Sequence, residues 1–380
     1  MDHSTGEVVV LTGSSGFLGS RILRYLVEDE QVSEIRAVDK LIPHDNDDDV
    51  FGYKESEGKV RLYHGDLVSA ESCRDAFRGA DVVLHCAALV DYDYPPDVDE
   101  LRLAIFALAC LQAATENVIK LCIEENVPRL VHCSTTEVTL QPCFTGSIVA
   151  ISIYKQESKL EVPSDSKLIF GDYAATKLRA EQIVLESHGS PLRNGAGTLS
   201  TSALRPTLMY GEGDPHLLPK ILSYAKSRGG RLPRFWGTTG KQQITYVGNA
   251  AWAFIKAKDT LRETPLAIAG LPVTVTDDTV VDYLALFCEH VTDGKVRVSS
   301  WPLPLALSYL GALLFEFLSR FGLISKIQPP TSSVYAFLGS ILLYNRARAS
   351  IHMNYWPKYK HDEAVALAAK YYSELYAREQ

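Results

Sequence analysis

Tyr173 and Lys177, in the stretch "DYAATK", stand four positions apart at the start of a segment with helical composition, "AATKLRAEQIVLES". That spacing puts both side chains on one helix face. A phenol titrates near pH ~10 and must come down before it can exchange protons near neutrality. An ammonium one turn away stabilises the phenolate and so lowers that value. The spacing by itself is weak, since Tyr-x-x-x-Lys is expected about once by chance in a chain of this composition. Tyr173 is, however, the only tyrosine here with lysine at that distance. A proton-transfer pair also needs a group to hold the substrate oxygen. "HCSTTEV" (His132 to Val138) reads as the end of a strand and offers the hydroxyls of Ser134, Thr135 and Thr136, with the inward-pointing one left open.

A second constellation lies in "VVVLTGSSGFLGSRILRYL", where Gly13, Gly16 and Gly19 recur every third residue. They sit between a β-branched run, Val8 to Leu11, and a helical pattern, Arg21 to Glu30. In such a turn backbone N–H groups and a helix N-terminus can approach a pyrophosphate. Gly13 allows the tight turn, Gly16 the close approach, and Gly19 the helix–strand packing. The next strand-like run, "EIRAVD", ends at Asp39, twenty residues after Gly19. An acid there holds the ribose hydroxyls of an adenosine and repels a 2′-phosphate, which favours NAD over NADP; Lys40 softens that preference. Asp66, in "GDL" after a third strand, is placed either to meet the adenine or to form a turn. A positively charged nicotinamide beside Tyr173 would stabilise the phenolate further.

The elements that must position these residues alternate. Strand-like "VRLYHGD", "DVVLHCAA" and "RLVHCST" are separated by helix-like "SAESCRDAF" and a helix ending near Glu125. Alternation of this kind predicts an α/β protein with a Rossmann-type, doubly wound parallel sheet and a smaller C-terminal substrate-binding lobe. We place the dinucleotide-binding domain at residues 1–205, with 244–257 ("ITYVGNAAWAFIKA") returning to it as one more strand and helix. Residues 206–380 form the substrate lobe. At 380 residues and a net charge of −8, without a basic stripe, nucleic-acid binding is disfavoured. The seven scattered cysteines show no metal-binding spacing and read as free thiols in a reducing compartment. The polar start "MDHSTGE" does not read as a secretory signal, and the charge run His44 to Asp49 reads as a solvated loop.

The most apolar stretch is "WPLPLALSYLGALLFEFLSRFGLI", residues 301–324. Its length approaches that of a bilayer span, about 20 residues. It also contains Glu316 and Arg320, spaced to pair on a helix. A buried core helix, a membrane-surface helix and a true span all fit.

Taken together, "TGSSGFLG", "STTEV" and "YAATK" resemble the extended short-chain dehydrogenase/reductase family. "NGAGTLSTSALRPTLMYGEGD" (Asn194 to Asp214) and "ITYVGNAAWA" are similar to its 3β-hydroxysteroid dehydrogenase/Δ5–Δ4 isomerase group. The resemblance implies NAD-dependent oxidation of the 3β-hydroxyl of a sterol or steroid. In it Tyr173 is the catalytic tyrosine, Lys177 its lysine, and Thr135 stands where the family usually has serine. Gly13, Gly16, Gly19 and Asp39 make the NAD contacts, with Asp66, Tyr173 and Lys177 beside them. It further implies an endoplasmic-reticulum membrane location, with a mitochondrial membrane as the alternative, and allows an oligomer. No residue identifies itself as the second acid/base that an isomerase step requires. The helix containing "TENVIKLC" departs from the family's Asn-Val-x-Gly-Thr: Thr115 fits, Ala114 replaces the glycine, and Leu111 replaces the asparagine of the proton relay. Asn117 lies on a different face and does not substitute. The segment before Thr115 is also longer than the family pattern. A sterol 4-carboxylate dehydrogenase that loses CO2, and an NAD-binding pseudoenzyme impaired at Leu111, are the competing readings.

Overall fold

The β-branched run at the start of the chain becomes β1 (Glu7–Thr12), the centre of a seven-stranded parallel sheet. Its neighbours are β2 (Val32–Asp39), β3 (Val60–His64), β4 (Val82–His85), β5 (Arg129–Cys133), β6 (Ser200–Pro206) and β7 (Leu271–Val275). Across the sheet the order is β7-β6-β5-β4-β1-β2-β3, every adjacent pair parallel. The computed structural model describes residues 6–41, 58–88, 98–140, 153–156, 168, 170–215, 217–236, 240–323 and 332–378. The charge run His44 to Asp49 and the stretch Leu89 to Asp91 lie outside the described residues.

Helices cover both faces of this sheet, so its strands bury alternate residues in two directions. Helix α1 (Phe17–Glu28) and helix α5 (Val247–Glu263) pack on one face, where Leu11, Leu84, Val131 and Leu204 meet Ile22, Leu26 and Phe254. On the other face lie α2 (Ala70–Phe77), α3 (Val98–Glu124) and α4 (Gly171–Glu186), where Val10, Val83 and Leu130 meet Phe77, Val118, Leu121 and Val184. The strand order reverses between β1 and β4. Ligands bind outside the carboxyl ends of the strands at such a switch point, and the glycine turn and the end of β5 both lie there.

Two expectations from the sequence change. Helix α1 begins at Phe17, not Arg21, because Gly16 already adopts the extended N-cap conformation. Residues 244–257 return only as a helix: Thr245–Tyr246 pairs with Met209–Tyr210 outside the main sheet, and the seventh strand is β7. A four-stranded sheet of Lys241–Gln243, Val280–Val281, Ile341–Tyr344 and Ile153–Gln156 stands apart from the main sheet and borrows its last strand from the first half of the chain. The C-terminal helix His361–Arg378 closes the lobe. Its buried Tyr372 hydroxyl donates to Asp214 Oδ2 at 2.9 Å and accepts from the Gly211 amide at 2.9 Å, holding the loop after β6.

The apolar stretch divides. Its first residues end a strand, Arg297–Pro304, paired with Arg231–Trp236. The rest forms α6 (Leu305–Arg320), sixteen residues long. Among the described residues no helix is long and apolar enough to cross a membrane. Nor is α6 a core helix: Leu307, Leu310, Leu314 and Phe317 are all more than half exposed. Glu316 accepts hydrogen bonds from the amide and hydroxyl of Ser332, at 2.7 and 2.9 Å.

The glycine turn depends on missing side chains. Gly13 has φ +71°, and a Cβ there would lie 2.6 Å from the Ala87 nitrogen. A Cβ on Gly19 would lie 1.9 Å from the Gly13 carbonyl oxygen, inside any allowed contact. Gly19→Ala therefore pushes α1 off β1, and we expect a loss of stability of about 3 kcal/mol, at the upper end of overpacking costs. Urea denaturation checks this; a midpoint equal to that of the parent chain would refute the packing argument.

Candidate active site

The dinucleotide end comes first. Gly13 N donates to the Val38 carbonyl at 2.9 Å, tying the turn to β2. No side chain caps α1, so its first-turn N–H groups are open to an anion. A Cβ on Gly16 would meet nothing nearer than the Gly13 oxygen at 3.3 Å. Packing within the chain thus demands glycine at Gly13 and Gly19 far more than at Gly16, and close approach by a pyrophosphate supplies the missing reason at Gly16. Asp39 ends β2 against this turn. Its Oδ2 accepts from Ser15 N at 2.9 Å and its Oδ1 from Leu41 N at 3.2 Å, which fixes the carboxylate and leaves lone pairs for ribose hydroxyls. Lys40 does not compete for the same space, because its Nζ lies 2.8 Å from Asp66 Oδ2. Asp66 Oδ1 accepts from Val68 N at 2.9 Å, so this carboxylate is a turn former paired with Lys40. Partial burial raises the Asp66 carboxyl, but the bonds from Lys40 and Val68 outweigh it and hold the group below its ordinary value. These residues fit NAD.

The reacting end lies at the tip of β5. Lys177 is buried on α4 and donates from Nζ to the Cys133 carbonyl at 2.7 Å. Tyr173, one turn nearer the helix start, is half-buried. Helix α4 packs against the short 3-10 turn Thr136–Thr139, where Val138 meets Ala174 and Leu178. Thr135 caps that turn, its Oγ1 accepting from Glu137 N at 3.3 Å. The hydroxyls left open by the sequence now separate by role. Ser134 Oγ donates to Glu181 Oε2 at 2.5 Å inside the protein, and Thr136 is buried in the turn. Thr135 remains as the group at the strand tip, and the structure brings it, Tyr173 and Lys177 to one end of the sheet.

Sequence reasoning missed what holds them there. Glu181 and Arg205 are both buried, and Arg205 Nε donates to Glu181 Oε2 at 2.8 Å while the guanidinium also bonds Oε1. A signal existed: Glu181 stands one turn after Lys177 on the same helix face, and Arg205 is the one charged residue in "STSALRP".

Leu111 is buried in α3 and offers no polar group at the relay position. Thr115, one turn on, shares its hydroxyl between the Leu111 carbonyl at 3.0 Å and His85 Nε2 at 3.4 Å; His85 Nδ1 lies 2.7 Å from Thr12 Oγ1. His132 stacks at 5.2 Å from His85, and neither of its ring nitrogens has a partner among the described residues. Asn117 donates to the Leu67 and Val68 carbonyls and pins the loop after β3, away from the relay. Burial, with a smaller contribution from Lys177, pushes His85 down to about 3; burial, His85 and Lys177 lower His132 as well.

Two outcomes follow. Arg205→Leu strands the Glu181 carboxylate and should cost about 3–5 kcal/mol, read by urea denaturation; a loss below about 1 kcal/mol would show the pair to be dispensable. Both histidines fold neutral with depressed values, so the unfolded chain binds protons below 6.5 that the folded chain refuses. Their contribution is complete above 6.5 and is lost as pH falls. His132→Leu should therefore gain on the parent chain by about 1.4 kcal/mol per pH unit below that point. Denaturation at a series of pH values measures it, and a pH-independent difference would contradict it.

The fold has many solved counterparts. The chain is similar to Pal from Bacillus thuringiensis (17% identity, TM-score 0.65, covering 97% of this chain and 99% of that one). It is similar to DesIV, a dTDP-glucose 4,6-dehydratase from Streptomyces venezuelae solved as a double mutant with NAD and DAU bound (18%, 0.65, 96% and 97%). It is also similar to UDP-glucuronic acid 4-epimerase from Bacillus cereus in complex with NAD (15%, 0.65, 97% and 99%). At these identities the likeness shows the fold. The sequence profile of one family matches residues 10–305, more than half of the chain and the whole of the site just described. On that match, the chain belongs to the 3-beta hydroxysteroid dehydrogenase/isomerase family.

Proposed function

We propose that this protein is an NAD-dependent oxidoreductase that oxidises the 3β-hydroxyl of a sterol or steroid to a ketone. One observation carries the reading: Tyr173, Lys177 and Thr135 share the carboxyl end of the sheet, in a chain that matches the 3-beta hydroxysteroid dehydrogenase/isomerase family over residues 10–305. Three proton-handling groups suit an alcohol, and the family match supports a sterol or steroid rather than a sugar.

Bound NAD supplies the hydride acceptor, and the protein orients it. Gly13, Gly16 and the open start of α1 hold the pyrophosphate, and Asp39 holds the adenosine ribose. Thr135 hydrogen-bonds the substrate oxygen. Tyr173, as phenolate, takes the hydroxyl proton as the C–H bond breaks. Lys177 keeps a positive charge one turn below it and is itself held by the Cys133 carbonyl. Without a polar side chain at Leu111, the proton leaves Tyr173 by a route other than an asparagine-bound water.

The same reading puts the protein on the endoplasmic-reticulum membrane, or a mitochondrial one, where a poorly soluble substrate resides. The exposed face of α6 supports it, together with Trp301, 85% exposed, and Trp236, 58% exposed, on the paired strands beside it. Apolar faces of this kind lie in the headgroup region of a bilayer.

The test is Tyr173→Phe in detergent-solubilised protein, offered NAD and a panel of 3β-hydroxysterols. We expect NAD binding to survive and NADH formation to fall at least ~100-fold. Equal turnover in the variant would overturn the mechanism. Turnover on nucleotide sugars alone would overturn the substrate class, and NAD binding without turnover on any sterol would favour an impaired enzyme.

A further inference from the structure

We propose that the strand pair Arg231–Trp236 and Arg297–Pro304, with the helix α6 that follows it, is an anion-selective docking surface whose partner is the acidic phospholipid headgroups of a bilayer. The proposal rests on the membrane reading above and names the lipid chemistry that this surface selects.

The chain carries a net charge of −8, yet residues 217–236 hold five basic residues and no acidic one. These cations, Lys220, Lys226, Arg228, Arg231 and Arg234, are divided among the helix Leu217–Ser227, the turn after it and a strand, so no stripe shows in the letters. The fold concentrates them. Arg297 stands in register with Arg231 on the neighbouring parallel strand, and paired strands run about 4.8 Å apart. Both arginines are exposed, as is Arg234, and none of the three has an ion pair among the described residues. Like charges side by side repel. A phosphate that accepts from both guanidiniums turns that repulsion into attraction.

The same two strands expose Trp236, Trp301 and Leu303. The second of them runs directly into α6, which packs back against it. On α6 the stripe Leu307, Leu310, Leu314 and Phe317 is uncovered. Guanidinium, indole and alkyl groups on one continuous stretch of chain match the phosphates, the interface and the acyl chains of a lipid leaflet. A second copy of the chain is a poorer occupant. In a two-fold dimer the same patch meets itself, which sets Arg231 and Arg297 of each copy against one another.

The experiment sediments the full chain with vesicles of phosphatidylcholine alone or of phosphatidylcholine mixed with phosphatidylserine, at low and high salt. We expect both to bind, the acidic vesicles ~100-fold more tightly at low salt, with that excess lost at high salt. The double variant Arg231→Gln, Arg297→Gln should bind acidic vesicles ~30-fold more weakly and neutral ones as the parent does. Leu310→Asp should weaken binding to both by at least ~10-fold. NAD binding checks that each variant folds; both substitutions lie at exposed positions, and the first removes a repulsion. Equal affinity for the two kinds of vesicle, or a double variant that keeps the full preference for acidic ones, overturns the proposal and leaves the membrane reading standing. A folded parent chain that binds neither overturns both. If that chain is instead a dimer that Leu310→Asp converts to monomer, the surface belongs to a second copy and the proposal also falls.

Discussion

The buried ion pair between Arg205 and Glu181 is the constraint on which the site depends. Two charges taken out of water must satisfy one another or destabilise the fold by several kcal/mol. Here the geometry leaves little freedom: the guanidinium contacts both carboxylate oxygens, and Ser134 donates to one of them from the next strand. Helix α4 is thereby locked in rotation and height against β5 and β6. Tyr173, Lys177 and Glu181 form a single stripe, one turn apart, so fixing the lowest member fixes the others. Lys177 adds a second attachment at the Cys133 carbonyl. Tyr173 is thereby held at a fixed height against the end of β5.

Local patterns were legible in the sequence; long-range pairings were not. The glycine turn, Asp39 and the Tyr–Lys spacing each depend on residues within a few positions, and each lies where its spacing puts it at the sheet end. Arg205 and Glu181 are 24 residues apart and look like isolated charges until the strand and helix are packed. The seventh strand, "LPVTV", carries Pro272, and as an edge strand β7 tolerates the missing amide. Residues 301–324 show why hydropathy alone falls short. The stretch is apolar nearly all round, so only the packing of its neighbours reveals which side stays uncovered.

Helix α3 is the main departure from the family pattern, and its packing explains how the chain accommodates it. On its sheet side this helix docks through Thr115, His85 and Thr12, and Asn117 ties it to the loop after β3. Leu111 adds an apolar contact where the pattern has an amide. The helix therefore packs against the sheet without an amide at that position. The two histidines behind it, kept neutral by burial, make the same region insensitive to pH in the neutral range.

Tyr372 gives the protein an order of construction. Its hydroxyl grips Asp214 across 158 residues of chain, so the loop at the cleft cannot be secured until the closing helix has been made. During synthesis the nucleotide half emerges with its turn, strands and first helices already in sequence order. The loop after β6 waits on the helix His361–Arg378, which acts as its clasp.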